Sequence, residues 1–527
     1  TPATLLAMAL PDVVGSWHGA RMGFMGRVLG WGVGWILWGS VMGVMWIGRR
    51  MWRWAAPSRT HGSARFMRPR RALHQGLVAL GRDRRHIIYA PEAAHVLCVA
   101  PTGAGKTTSL VFPNLLSIDG KASCFVTDPK GECFRATAAW RAQFGPVYRW
   151  APFDMGAQRL NPLASIRVGS NDELTDARLL AELLVPQTGG DAHWALSART
   201  LLVDVLLFII HHDPPALQTL GHMRALLTLA PDDFAHLLKR MAVSNVPAVE
   251  RTAHGVAQMS PNERSGVLST ALAATALWDC PRLQDATAVS DFQFKDLKTQ
   301  IATLYIVIPP ERLATYAPAL RLLVGLAVAE LSRAHGPTRV VCLVDEFANL
   351  GRLSSLEAAI SIARSAGLHL CLFVQDLAQL KGAYPTTWAT FFANCTAKVF
   401  FGMGDIDEAE RLSRTLGQHT IRTRGHGTSG TPTGLPDRRS ASQGETGRPL
   451  MTPDEILTLP PRQALVLLRG QGHGSCSRCA APSTNPRQNR TRAPDHEKPC
   501  PLGKLLPAQG PGTPDQGVCR SRQQPSL

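Results

Sequence analysis

Short apolar runs alternate along this chain with segments of helical spacing. Val96–Val99, Ser123–Thr127 and Thr303–Ile308 are such runs, and proline, glycine or carboxylate residues follow each of them. Strands that alternate with helices predict an α/β fold built on a parallel sheet with crossover helices. Similar runs mark further predicted strands: Val147–Trp150, Val340–Val344, Leu368–Val374, Ala397–Phe401 and Ala464–Leu468. Because ligands of such sheets bind at the carboxyl ends of the strands, candidate chemistry is expected in the loops that follow.

Between residues 172 and 284 the pattern changes to helical spacing throughout. Leucines recur at this spacing in Leu179–Leu184, and the apolar segment Leu201–Ile210 follows, with proline and aspartate breaks between segments. This pattern predicts a small all-α domain inserted into the sheet domain. The sheet domain would then consist of residues 76–171 and 285–470.

The N-terminal region contains a candidate membrane span. Residues Val28–Gly48 include no charged side chain, and a helix of that length covers roughly 30 Å, enough to cross a bilayer. Only Arg21 and Arg27 precede it, whereas a cluster of arginines follows: Arg49, Arg50, Arg53, Arg59 and Arg65. The positive-inside rule therefore predicts a membrane segment within residues 1–54 and a cytoplasmic location for the rest. A buried helix of a soluble domain is the alternative.

The two ends of the chain are unusual. The apolar run Thr4–Leu10 resembles the end of an earlier span, so a truncated N-terminus is expected. Residues 471–527 form a low-complexity tail, for which a translated frameshift is one hypothesis that the other reading frames would test. Within it Cys476 and Cys479 form one C-x-x-C, a poor zinc signature without a second matched pair. Other cysteines and histidines accompany it: Cys500, Cys519, His473 and His496.

Residues 423–448 form an internal segment that is rich in Gly, Ser, Thr and Arg. This composition predicts a mobile loop.

The amino-acid composition indicates what kind of partner the protein binds and in which cellular compartment the sheet domain lies. A net charge of +17 and a pI near 9.8 indicate a polyanion or an acidic membrane surface as partner. The basic tail and the arginines beside the membrane segment are the alternative source of part of this excess. Seven of the eleven cysteines lie in or beside apolar runs: Cys98, Cys124, Cys133, Cys280, Cys342, Cys371 and Cys395. They are interpreted as buried thiols, so the sheet domain is expected to face a reducing cytoplasm.

A glycine-rich loop follows the strand Val96–Val99 and leads directly into a helical segment. This order of strand, loop and helix is typical of a phosphate-binding loop. Its glycines would let backbone N–H groups turn toward an anion, Lys106 would reach the terminal phosphates, and Thr107 would offer a hydroxyl to Mg²⁺. Ala100 replaces the leading glycine of the usual pattern, a tolerated variant because that glycine contributes to the turn and carries no charge. The residues predicted to bind nucleotide are Thr102, Gly103, Ala104, Gly105, Lys106, Thr107 and Thr108. A chance Gly-Lys-Thr in a surface turn is the alternative.

A carboxylate pair, Asp345-Glu346, follows the apolar strand Val340–Val344. Carboxylates at the end of a buried strand cost free energy unless a cation uses them. Beside a phosphate-binding loop, Asp345 would support the Mg²⁺ shell and Glu346 would polarise the attacking water. A strand-end pair that faces solvent is the alternative.

Two further side chains are candidates for catalysis. Gln375 ends the next predicted strand, near the expected γ-phosphate, where a neutral amide can report whether that phosphate is present. An ordinary polar residue at a strand end is equally compatible with this position. Arg364 lies on the helix that leads to the Gln375 strand and could reach the nucleotide of a neighbouring subunit, as arginine fingers do. An exposed helix arginine is the commoner explanation.

With these features placed, the chain resembles the type IV secretion-system coupling proteins of the TraG/TraD kind, the membrane ATPases of conjugative DNA transfer. The resemblance covers about Gly76 to Gly470 and depends on a combination of motifs. They are APTGAGKTTSLVFPNLL (100–116), DPKGE (128–132), NPL (161–163), LVDEFANLG (343–351), FVQDLAQL (373–380), FFANCTAKVFFG (391–402) and GRPLMTPDEI (447–456). The family pattern consists of N-terminal membrane helices, a RecA-like nucleotide-binding domain and an inserted all-α domain.

The resemblance implies nucleic-acid-stimulated ATP hydrolysis that drives a relaxase–DNA substrate into the secretion channel. It implies ATP and Mg²⁺ as ligands, and a ring of six subunits in the bacterial inner membrane around a channel for single-stranded DNA. Phosphate contacts would supply affinity without sequence preference. The inserted domain would face the relaxosome. By resemblance, Arg364 matches the family's subunit-interface arginine in its spacing from the acidic pair. The nucleotide and hydrolysis roles fall to Lys106, Thr107, Asp345, Glu346 and Gln375.

Three features depart from this family pattern: Ala100, the single complete membrane helix where two are usual, and the tail after Gln471. Two other functions therefore stay open. The first is a recruitment platform that binds nucleotide to assemble and docks substrates with little hydrolysis. The second is a chromosome-segregation translocase of the FtsK type, although the long proline/glutamine linker and winged-helix domain of that type are not evident in the sequence.

Overall fold

A computed structural model of the chain provides the structure. It describes residues 38–47, 59–66, 76–83, 86–92, 94–186, 192–429, 438–460, 462–469 and 475–480. These residues divide into two compact units. The larger is drawn from residues 64–417 and 449–527, and the smaller from residues 1–63 and 418–448.

Fourteen strands are described, and all but two belong to one twelve-stranded sheet. In chain order they are β1 Arg65–Phe66, β2 Ala79–Asp83, β3 His86–Tyr89, β4 Val96–Val99, β5 Ser123–Thr127, β6 Val147–Trp150, β7 Thr303–Ile306, β8 Val340–Val344, β9 Leu368–Val374, β10 Ala397–Phe400, β11 Gln418–Ser429, β12 Arg438–Pro449, β13 Gln463–Leu468 and β14 Ser475–Ala480. The sheet has the order β3-β2-β14-β13-β10-β4-β9-β8-β5-β7-β6, with β1 beside β14. From β10 to β6 every strand is parallel to its neighbours, as the alternating pattern predicts.

Seventeen α-helices are described, and all but the first belong to the larger unit. In chain order they are α1 Trp38–Ile47, α2 Phe112–Ser117, α3 Glu132–Arg141, α4 Glu173–Leu184, α5 Ala192–His212, α6 Leu220–Leu227, α7 Pro231–Ala242, α8 Pro247–Gln258, α9 Pro261–Thr275, α10 Pro281–Ala286, α11 Asp296–Thr299, α12 Pro310–Arg333, α13 Ser354–Ile362, α14 Leu377–Ala383, α15 Trp388–Asn394, α16 Ile406–Leu416 and α17 Pro453–Leu457. Six of them begin with proline, which suits the first helical position because the N–H there has no intrahelical partner.

Alternate residues of the central strands pack on opposite faces of the sheet. Leu97 and Val99 of β4 belong to one core, and Val96 and Cys98 to the other. The first core continues into α5 and α12, whereas the second contains Leu110 of the helical segment after the glycine-rich loop. The loop and its helix therefore lie on one face, and the long helices cover the other.

Between β6 and β7 the described residues form helices and no strand, as the pattern of residues 172–284 predicts. This region shares a hydrophobic core with the sheet. The buried carboxylate of Asp176 in α4 accepts hydrogen bonds from Arg167 Nε at 2.7 Å and from Arg333 Nη1 at 2.6 Å. Since Arg333 ends α12, this ion pair joins the helical region to the sheet domain. The bounds of an inserted domain stay a prediction.

Two of the described helices, α5 and α12, are long and apolar enough to cross a membrane by length and composition alone. In this fold both pack into the core, with 61% and 56% of their apolar windows buried. The candidate span Val28–Gly48 lies partly outside the described residues. Its described part, α1, is an exposed apolar helix that covers only about 15 Å at 1.5 Å per residue. The membrane span therefore stays a prediction.

The structure differs from the sequence analysis at two polar segments. In the predicted mobile loop, β11 and β12 form a two-stranded sheet, so that prediction was wrong for both strands. Polar contacts connect them: Thr423 Oγ1 donates to Gly444 O at 3.2 Å, and Arg422 Nε lies 3.4 Å from Glu445 Oε1. Ser475–Ala480, placed in the tail, pairs as β14 with β13. Neither segment has the apolar alternation by which a strand is recognised.

The predicted state of the cysteines is confirmed for six of the seven. All seven are free thiols, and only Cys280 is partly exposed. Among the residues that the structure describes, no three His, Cys, Asp or Glu side chains are grouped to hold a metal ion. Most members of the weak zinc candidate, His473, His496, Cys500 and Cys519, lie outside the described residues.

A buried carboxyl in α5 makes the stability of the fold depend on pH. Asp204 is 3% exposed, and its Oδ2 accepts a hydrogen bond from Thr252 Oγ1 at 2.6 Å. Burial raises the pKa of Asp204 to about 6, although the hydrogen bond from Thr252 opposes this shift. A pKa raised by folding contributes stability that is fully present below the unfolded value, about 3.9. That contribution is lost as the pH rises through the folded pKa.

We expect the variant Asp204→Asn to gain about 1 kcal/mol of unfolding free energy relative to wild type between pH 5 and pH 8. Asparagine keeps the size of the side chain but cannot ionise inside the core. Urea unfolding of both proteins at the two pH values measures the change. The exposed Asp232→Asn is the matched control and should show no such change. A difference between wild type and Asp204→Asn that is independent of pH would contradict the assignment.

Candidate functional site

The glycine-rich loop has the backbone conformation of a phosphate cradle. Gly103 and Gly105 have φ values of 81° and 82°, in the left-handed region that favours glycine. Ala100 is buried and does not have positive φ, and its N–H donates to Val374 O at 3.0 Å. A glycine is therefore not required at position 100, which explains why alanine is accommodated there.

The helical segment begins directly after this loop, as the sequence predicts. It starts with a π-helical turn, Thr107–Val111, and continues as α2. Ser109 N–H and Thr108 Oγ1 both donate to Gly105 O, at 2.9 and 3.1 Å, and so connect the turn to the loop. The unpaired N–H groups of this helix start and its dipole favour an anion at the loop.

The structure brings Lys106 and Asp345 together. Lys106 Nζ lies 2.7 Å from Asp345 Oδ1, and the two side chains are only 14% and 15% exposed. Asp345 directly follows β8, and β9 separates β8 from β4 in the sheet. Because all three strands are parallel, their carboxyl ends meet at one edge, where the loop and the carboxylate lie.

A threonine that the sequence analysis missed fixes the backbone of Asp345. Thr127 Oγ1 accepts a hydrogen bond from Asp345 N–H at 2.7 Å and donates to Asp345 O at 3.2 Å. Thr127 is buried at the end of β5, beside β8. The only signal in the sequence was a polar residue at the end of an apolar run, which is too common to identify it.

The neighbouring carboxylate has a different set of partners. Glu346 lies in the left-handed region, with φ 50° and ψ 42°, which is strained for a residue other than glycine. Its N–H donates to Asp345 Oδ1 at 2.9 Å, and its Oε2 accepts from Asn349 Nδ2 at 2.9 Å. Asp345 thus contacts the lysine of the loop, while the Glu346 carboxylate contacts the following turn.

Gln375 lies against the glycine-rich loop, as expected from its place after β9. Thr102 Oγ1 donates to Gln375 Oε1 at 3.3 Å. A cavity of about 330 Å³ adjoins this contact and is also lined by Asp376, Gly404 and Glu408. Glu408, which the sequence analysis missed, accepts the N–H groups of Leu377 and Ala378 at 2.6 and 3.1 Å. It thereby caps the start of α14, the helix that follows Gln375.

Arg364 is not brought to this site within the chain. It lies in the turn before β9, at the amino end of that strand, whereas Gln375 follows the carboxyl end. The seven residues of β9 separate the two ends by roughly 20 Å. Arg364 Nη2 donates to Asn394 O at 3.1 Å.

The residues present fit a magnesium ion of the kind that is bound together with phosphates. Mg²⁺ takes oxygen ligands and usually keeps several waters, with one or two carboxylates and substrate phosphates completing its shell. The hydroxyl of Thr107 and the carboxylate of Asp345 are donors of this kind. Thr107 directly follows Lys106, whose ammonium contacts Asp345.

Two kinds of comparison relate this chain to known proteins. The sequence pattern of the family described as "Type IV secretory system Conjugative DNA transfer" matches residues 64–480. Conjugal transfer protein TraG of Escherichia coli is 33% identical over 395 residues, which are 69% of this chain and 62% of that protein. Protein VirD4 of Agrobacterium fabrum is 28% identical over 392 residues, 72% of this chain and 57% of that protein. The chain thus spans about three fifths of these relatives.

The fold is also that of solved structures. Plasmid coupling protein TrwB in complex with ADP and Mg²⁺ gives a TM-score of 0.61 at 18% identity, covering 81% of this chain and 95% of that one. TrwB in complex with a non-hydrolysable ATP analogue gives 0.60 at 19% identity, covering 80% and 96%. This likeness shows the fold, an α/β domain with a mostly parallel sheet and a helical region between β6 and β7. By its sequence match, the chain belongs to the type IV secretion family of conjugative DNA transfer proteins.

Proposed function

We propose that this chain is a membrane-anchored ATPase that couples ATP hydrolysis to the passage of relaxase-bound single-stranded DNA into a type IV secretion channel. Its family and its likeness to TraG and VirD4 support the biological setting. The observation that carries the proposal is the contact of Lys106 with Asp345, 2.7 Å long, at the end of a glycine-rich loop. This arrangement suits a nucleoside triphosphate because it places an ammonium group and a carboxylate beside a glycine-rich loop at a helix start.

ATP would bind with its phosphates in the loop, as the nucleotide complexes of TrwB support. Gly103 and Gly105 have left-handed conformations, which would let backbone N–H groups turn toward the phosphates. Lys106 would leave Asp345 for the terminal phosphates, and this would free the Asp345 carboxylate to bind Mg²⁺ together with the hydroxyl of Thr107. Bound Mg²⁺ would neutralise charge on the phosphate oxygens.

Hydrolysis would then depend on two side chains at the strand ends. Glu346 would accept a proton from the attacking water, the role of a general base. Gln375 would sense the γ-phosphate, and its contact with Thr102 supports this assignment because it connects β9 to the glycine-rich loop. A change at the phosphate would therefore be transmitted to α14, which follows Gln375.

Assembly and location are part of the same proposal. Six copies would form a ring in the bacterial inner membrane, with the ATPase domain in the cytoplasm and single-stranded DNA in the central channel. The exposed apolar helix α1 and the arginines after the candidate span support anchoring. The placement of Arg364 at the opposite edge of the sheet supports a role across a subunit interface. The relaxase and the channel components of the secretion system would be the protein partners.

We expect the full-length chain in lipid nanodiscs to hydrolyse ATP, with turnover that single-stranded DNA stimulates severalfold. Turnover is measured with and without DNA, and Lys106→Ala is the blank because it removes the cation that holds the phosphates. Nucleotide binding by an assembled ring without turnover would favour a recruitment platform. Stimulation by double-stranded DNA that exceeds stimulation by single strands would favour a translocase of the FtsK type.

A further inference from the structure

Asn349 makes two hydrogen bonds with the proposed general base. Its backbone N–H donates to Glu346 O at 2.9 Å, and its side-chain Nδ2 donates to Glu346 Oε2 at 2.9 Å. The two bonds close a single 3₁₀ turn, Phe347–Leu350, directly after the acidic pair. The Glu346 carboxylate is therefore hydrogen-bonded to the turn that directly follows it.

This turn is anchored, so the backbone at Asn349 is fixed relative to the core. Phe347 and Leu350 are buried at 0% and 2% exposure. The ring of Phe347 stacks on Tyr384, with 5.4 Å between the centroids. Tyr384 follows α14, and its hydroxyl accepts the N–H of Leu353 at 3.2 Å. The turn that carries Asn349 thus packs on the helix that begins just after Gln375.

We propose that Asn349 is a positioning residue that holds the Glu346 carboxylate away from the attacking water, so that turnover requires this hydrogen bond to break. The inference rests on the proposed ATPase function. In the structure Asp345 contacts Lys106, whereas Glu346 contacts the turn that leads away from the loop.

The backbone of Glu346 supports two states for this side chain. Its left-handed conformation, with φ 50°, is strained, and such strain persists only where the surroundings maintain it. The bond from Asn349 is one of those constraints. Packing of Phe347 on Tyr384 gives a physical route by which a shift of α14, started at Gln375, alters the turn and releases Glu346.

The variant Asn349→Leu tests this inference, because leucine has a similar size and no donor. We expect its DNA-independent ATP turnover to rise by about threefold to tenfold, the effect of one exposed hydrogen bond on a two-state equilibrium. The DNA-saturated rate stays the same, so the stimulation ratio falls by the same factor. The matched control is Asn262→Leu, an exposed asparagine at the start of α9, which should leave both rates unchanged.

A second variant, Asn349→Asp, keeps the shape of the side chain and places a like charge beside Glu346. It is expected to release Glu346 as well, because the amide donor is lost and the two carboxylates repel each other. The DNA-independent kcat would then rise while the KM for ATP stays near its wild-type value, a split that a merely structural contact does not produce. Nucleotide affinity and thermal unfolding of each variant identify any protein that has failed to fold.

The sign of the effect decides the outcome. Lower turnover in Asn349→Leu would mean that Asn349 holds Glu346 in its productive position, and unchanged turnover would mean a local contact without regulatory effect. Either result overturns the inference and leaves the ATPase proposal intact, provided that the wild type hydrolyses ATP. A wild type that binds ATP without hydrolysing it overturns both.

Discussion

Glu346→Gln is expected to reduce ATP turnover by about a thousandfold and to leave nucleotide affinity within a few-fold of wild type. Glutamine has nearly the same shape and retains an oxygen that accepts the hydrogen bond from Asn349. It cannot take a proton from water, so the proton-transfer step is lost. Asp345, Lys106 and the glycine-rich loop are unchanged, and they supply the contacts on which ATP binding would depend.

Two measurements are needed for this prediction: steady-state turnover with saturating single-stranded DNA, and equilibrium binding of a fluorescent ATP analogue. Glu311→Gln, which alters an exposed glutamate at the start of α12, is the matched control and should affect neither. Turnover within tenfold of wild type would exclude Glu346 as the base. Parallel loss of binding and turnover would instead indicate that Glu346 maintains the loop after β8.

The site residues that the sequence predicted are those that follow a recognisable strand along the chain. Asp345 follows its apolar strand directly, and Lys106 follows Val99 by seven residues. Parallel strands bring their carboxyl ends to one edge of the sheet. The place of each residue after its strand was therefore enough to predict that both residues lie at this edge. The order of the strands, with β9 between β4 and β8, placed Gln375 beside Thr102 without any further signal in the sequence.

The residues that the sequence analysis missed act through contacts that have no local pattern. Thr127 lies 218 residues before Asp345, whose backbone it holds, and Glu408 caps a helix that starts 31 residues earlier. The strands β11 and β12 were missed because their sequences lack apolar alternation, and the contacts described between them above are polar. Asn349 lies within the motif LVDEFANLG, but its contact with Glu346 Oε2 is seen only in the structure.

Arg364→Ala is expected to lower turnover by about a thousandfold or more, the effect of removing an arginine that stabilises charge on the transferring phosphoryl group. Within one subunit Arg364 lies at the amino end of β9, roughly 20 Å from Gln375, so it cannot act on its own nucleotide. It must therefore act on a neighbour or not at all. The competing interpretation is structural, because its guanidinium donates to Asn394 O, and it predicts a loss of stability with little change in turnover.

Mixed rings distinguish these interpretations. The variant Lys106→Ala lacks the lysine of the glycine-rich loop but retains Arg364. The variant Arg364→Ala retains the lysine but lacks the arginine. Each protein alone should therefore be inactive. If the arginine acts across the subunit interface, rings formed from an equal mixture of the two variants contain intact sites. Each intact site combines Lys106 of one subunit with Arg364 of its neighbour. Random assembly then restores about a quarter of the wild-type turnover, provided that the sites act independently. The control Arg414→Ala, a change at an exposed arginine of α16, should leave turnover unchanged. No recovery in the mixture, with assembly verified by light scattering, would show that Arg364 does not complete a neighbour's site.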